Sequence, residues 1–115
     1  MISEISWKEE FTKEVERAIQ ARSEGNEGMA RVCARRAAGI VVGEYLRRQG
    51  VVRFTNSVYD RITLFNTLPN IDAKCKEVCR HFLMKVNEEH KLPGDTDLVQ
   101  DVYWLKEQLL SDKQD

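Results

Sequence analysis

Apolar residues recur at helical spacing through most of the chain. Trp7, Phe11, Val15, Ala18 and Ile19 fall at i, i+4, i+8, i+11 and i+12, one continuous stripe. Ser6 with Glu9 three residues on forms a capping box that starts this helix, and Gly25, with Gly28 in the turn region, ends it. A second capping signature, Ser57-Val-Tyr-Asp60, opens a shorter helix with Val58, Ile62 and Phe65 on one face, stopping near Leu68-Pro69. Asn70 is then expected to cap a long helix whose stripe is Ile71, Cys75, Val78, Phe82 and Val86, widened by Cys79 and Leu83. Leu92-Pro93-Gly94 breaks the chain, and Asp95 or Thr96 caps a last helix carrying Leu98, Val99, Val102, Leu105 and Leu109. No segment alternates with period two over a useful length, and no internal repeat is present.

Between the first and third helices, Asn26 to Gly50 reads as one helix with a different character. Small residues at Ala30, Ala34, Ala37, Ala38, Gly39 and Gly43 let another backbone come close. A helix apolar around most of its circumference must be covered on more than one side. It is therefore central, and a second chain is also expected to pack on it. Gly39-x-x-x-Gly43 marks a close approach either within the bundle or across a dimer. Arg47 and Arg48 precede Gly50 and suit the negative end of the helix dipole. Short connections imply antiparallel neighbours. The expected fold is all-α, an up-and-down four-helix bundle with one additional short helix, formed as a single domain over residues 1–115.

Composition narrows the class. Charged residues make up 32% and the only prolines are Pro69 and Pro93, which suits a packed helical domain better than a disordered chain. The longest wholly apolar run is Ala37 to Gly43, where a membrane span needs about 20 residues. The first residues are acidic and lack a hydrophobic signal core, so a cytoplasmic location is expected. Cys33, Cys75 and Cys79 show no metal-ligand spacing and read as reduced small hydrophobes; no metal site and no cofactor are implied. Glycine-rich phosphate loops, G-x-S-x-G, H-E-x-x-H and Glu-x-x-His pairs are absent.

Charge is segregated although the net value is −1. Residues 28–53 hold six arginines against Glu44, while both ends of the chain are acidic. Arg31 and Arg35, one helical turn apart, are candidate ligands for a phosphate or a nucleotide; pairing with Glu24, Glu27 or the acidic last helix is the plainer alternative. A slightly acidic whole favours internal pairing over nucleic-acid binding. Tyr103, Trp104 and Leu105 cannot all face one core, so an aromatic is left as a protein-contact point.

These features together resemble the HEPN superfamily of small helical bundles, over about residues 6–110. The likeness rests on helix order, on the second helix from Ala30 to Gly50 (Ala-Arg-x-x-Ala-Arg-Arg-Ala-Ala-Gly, then Tyr-Leu-x-x-x-Gly), and on Leu92-Pro93 where many members carry Tyr-Pro. The resemblance implies a homodimer and a protein partner of the nucleotidyltransferase type. A subset of the superfamily are metal-independent ribonucleases with an Arg-x4–6-His motif. Here Lys85-Val-Asn-Glu-Glu-His90 keeps the spacing with lysine in place of arginine. Lysine lacks the planar fork that grips a phosphate, and two acids lie inside the motif. Lys85, Asn87 and His90 are thus catalytic candidates only for the alternative reading, a ribonuclease or RNA-binding toxin; His90 otherwise caps its helix. The leading expectation is a non-catalytic interaction module.

Overall fold

The computed structural model describes residues 4–51, 55, 57–85 and 96–111, with side chains from Trp7 onward. The described residues form five helices and no strand: α1 (Glu4–Ser23), α2 (Glu27–Arg48), α3 (Val58–Asn66), α4 (Ala73–His81) and α5 (Leu98–Leu110). The all-α class is as the periodicity predicts.

Both long helices end in the same way, for the same chemical reason. Gly25 and Gly50 take φ of 79° and 77°. In each case the next residue's N–H reaches back to the carbonyl of the third-last helical residue, Asn26 to Ala21 at 2.8 Å and Val51 to Leu46 at 3.0 Å. This is a Schellman ending, which needs a left-handed residue that glycine adopts without Cβ strain. Asn26 then caps α2 by accepting from the Met29 N–H, so one short turn closes α1 and opens α2.

The other caps partly depart from expectation. Ser57 does cap α3, its hydroxyl accepting from the Asp60 N–H at 3.2 Å. Ser6 lies inside α1, because helical backbone already begins at Glu4. Asp72, not Asn70, caps α4 through the Lys74 N–H; Asn70 instead sits at φ 62°, a left-handed position that asparagine tolerates in the turn after Pro69. Asp97 caps α5, accepting from the Val99 and Gln100 N–H groups; Thr96 precedes it, and Asp95 lies outside the described residues.

The larger departure is the length of α4. The apolar stripe runs on to Val86, yet the helix stops at His81 and the chain leaves it in tight i→i−3 bonds from Phe82, Leu83 and Met84. The cause lies on α2. The Arg35 guanidinium donates to the carbonyls of Phe82 and Met84, both at 3.0 Å. A cation offers those oxygens a stronger bond than another helical turn does.

α2 is the centre of the molecule, packed by α1, α3 and α5, while α4 lies against α3 and α5. Ala30, Ala34, Ala37, Ala38, Val41 and Val42 have no exposed surface. Around them pack Trp7, Phe11 and Val15 of α1, Ile62 and Phe65 of α3, Val78 and Cys79 of α4 with Phe82 just beyond it, and Leu98, Val102 and Leu105 of α5. No described helix is long and apolar enough to cross a membrane.

The glycine pair on α2 has its occupant within the chain. A Cβ on Gly39 would lie 2.7 Å from Val58 Cγ2, and one on Gly43 would lie 2.6 Å from Arg61 Nη1. α3 is seated in this notch, and Arg61 holds it there by donating to the carbonyls of Gly39 and Thr55, both at 2.8 Å.

Candidate functional site

Three of the residues singled out from the sequence meet in one place. Arg31 and Arg35 on α2 and Lys85 beyond α4 line a groove of about 660 Å3, together with Gly28, Val58, Tyr59, Phe82, Leu83 and Met84. Asn87 and His90, the remaining catalytic candidates, lie outside the described residues.

Among the described residues these arginines do not form the ion pairs that were the plainer alternative. Glu27 is taken by Arg22, which also reaches Asp97 at the start of α5. Arg35 spends its donors on main-chain carbonyls, and burial, then the like charge of Arg31, push its pKa below the usual arginine value. Among the described residues Arg31 and Lys85 form no ion pair, and no acidic side chain lines the groove. The groove therefore concentrates positive charge in a chain whose net charge is −1.

Its walls are of two kinds. Val58, Leu83 and Met84 are half-buried and apolar, and Phe82 is buried beneath them. Tyr59 stands at the rim, 64% exposed. Neither Tyr59 nor Met84 was legible as a site residue, because Tyr59 reads as an ordinary outward position of α3. Met84 joins the groove only because α4 ends early.

Other polar constellations are structural. Glu44 is buried on α2 and accepts from Arg47 and Arg48 of the next turn, at 2.6 to 2.9 Å. The Arg47 bonds hold its carboxyl below the usual range; burial opposes this, and Arg48 adds to the lowering. His81 Nδ1 lies 2.8 Å from an Asp101 carboxylate oxygen and ties α4 to α5. Cys33, Cys75 and Cys79 are free and buried, as expected of small hydrophobes. Burial, and then the neighbouring Cys75, push the Cys79 thiol up to about 12. Among the described residues no cluster of three metal-ligating side chains occurs.

Tyr103 is the outward aromatic of the last helix, 46% exposed, with its ring edge-on to Phe11. On α2, Met29 and Val32 are exposed on the side away from the core, in line with Arg36 and the half-buried Ile40. Compared with family models, curated proteins and solved structures, the chain matches none.

Proposed function

We propose that this chain is a non-catalytic helical interaction module, an HEPN-like up-and-down bundle that pairs with a second copy of itself and presents its remaining surface to another protein. The observation that carries the reading is the outer face of α2. Met29 and Val32 are large and apolar, and they stay exposed on a helix that three other helices already cover. An exposed apolar pair with the cation Arg36 one turn on suits a protein contact better than a solvent-facing helix surface.

The dimer would use this face, because the Gly39–Gly43 notch is filled by α3. Among the described residues the groove's lining combines cations, a phenol and apolar side chains, which suits binding. The resemblance to HEPN domains makes a nucleotidyltransferase-type protein the first partner to try.

Sedimentation velocity over a wide concentration range tests the pairing. A dimer that dissociates in Met29→Asp and Val32→Asp, with helicity retained, is the expected result. A monomer at every concentration refutes the homodimer.

A further inference from the structure

The cationic groove opens beside Met29 and Val32 on α2, since Gly28 and Arg35, which line it, each lie about one turn from Val32. We propose that it receives a short acidic peptide segment of another protein, with carboxylates on Arg31 and Lys85 and an apolar side chain against Val58, Leu83 and Met84. This rests on the reading of the chain as an interaction module and assigns that module a ligand.

Three observations point to this occupant. The groove brings together the cations Arg31, Arg35 and Lys85, and among the described residues no acidic side chain lines it, so an incoming carboxylate meets concentrated positive charge. Arg35 is held by the carbonyls of Phe82 and Met84, which fixes the floor in place before any ligand arrives. The apolar wall is aliphatic and contiguous with the cations, which suits a peptide carrying both a carboxylate and a Leu- or Met-like side chain. Nucleic acid is the poorer match. Among the described lining residues only Tyr59 offers an exposed ring for stacking, and no side-chain amide or carboxylate is present to read an adenine or cytosine edge.

The test is fluorescence anisotropy with a labelled set of short peptides in which Asp or Glu flank a Leu, Met or Phe. Controls are an all-Glu peptide, a peptide with Lys replacing the acids, a mononucleotide and a short single-stranded RNA. The acidic peptides with an apolar anchor should bind, and the Lys peptide should not. Arg31→Glu and Lys85→Glu should each weaken binding by about tenfold or more, the loss of one charge-assisted pair. Both side chains reach solvent, and circular dichroism verifies that the variants fold. A peptide with one acid changed to Lys should recover affinity for Arg31→Glu, which a folding defect would not produce.

Absence of binding by every acidic peptide overturns the proposal, as does binding unchanged in both charge-reversed variants. RNA or mononucleotide binding that displaces the peptides, or occurs without them, reassigns the groove to phosphate and also overturns it. Sedimentation of the same variants separates the two readings: an intact dimer with no peptide binding removes the groove's ligand alone, whereas a monomer that binds peptide removes the dimer alone.

Discussion

At the scale of single residues, three arginines and one glutamate decide local structure that periodicity misses. Glu44 is a carboxylate on a helix face that is otherwise core, and it is tolerated because Arg47 and Arg48 lie one turn on. Arg48 also lies 5.8 Å over the Trp7 ring, so this cluster links α2 to the start of α1. Glu44→Gln should lower stability by about 1–3 kcal/mol in urea unfolding near neutral pH. The pH dependence has a definite sign. The folded carboxyl titrates below its usual value near 4.5, so its contribution is fully present above that value and is lost as pH falls through the folded pKa. Wild type should therefore lose stability in that acid window, and Glu44→Gln should lose less. An equal slope in both proteins would sink this account. Arg35 is the second case. Arg35→Met removes donors from two carbonyls that have left the helix, so a loss of about 1–3 kcal/mol is expected. Arg35→Lys, which cannot reach both oxygens with one fork, should recover only part of it.

At the scale of elements, the seat of α3 on α2 is set by what is missing from α2. Gly39→Ala should cost about 1–3 kcal/mol, because the new methyl meets Val58 Cγ2 at 2.7 Å and well-packed contacts yield little. In a Val58→Ala background the nearest remaining side-chain atom is Cβ at 3.6 Å, ordinary van der Waals contact. The same glycine change should then be nearly neutral. A double-mutant cycle measures this, and additive effects would show that α3 does not sit in the notch. The helices themselves were legible because stripes such as Trp7–Phe11–Val15 and Leu98–Val102–Leu105 depend on local spacing alone. The glycine notch was legible as a close approach, though its occupant was not: the spacing is silent on whether α3 or a second chain fills it. The end of α4 was not legible at all. Its stripe continues past His81, and the groups that stop it come from Arg35, far away in sequence.

At the scale of the whole molecule, the candidate site shows the same division. Arg31 and Arg35 were visible as neighbours, but the sequence favoured acidic partners for them over a phosphate, whereas Glu27 is taken by Arg22 and Arg35 by main-chain carbonyls. Long-range competition for a partner leaves no local pattern. The fold also distributes its stability unevenly, and the three buried cysteines report on that. Cys33 is on the central α2, covered by three helices. Cys75 and Cys79 are on α4, a nine-residue helix packed mainly on α3 and α5 and tied down by the Asp72 cap and the His81–Asp101 contact. A short peripheral helix opens at lower free energy than a central one. Thiol modification needs such opening, since burial keeps the Cys79 thiol near 12 and raises the other two as well. Labelling followed by peptide mass spectrometry should therefore find Cys75 and Cys79 modified first, at a rate nearly independent of dilute denaturant. Cys33 should follow at the rate of global unfolding, rising steeply with denaturant. His81→Ala should speed labelling on α4 several-fold and leave Cys33 close to its original rate. If all three thiols react together in both proteins, α4 opens only with the core, and the early end that Arg35 imposes on it is a fixed feature of the groove.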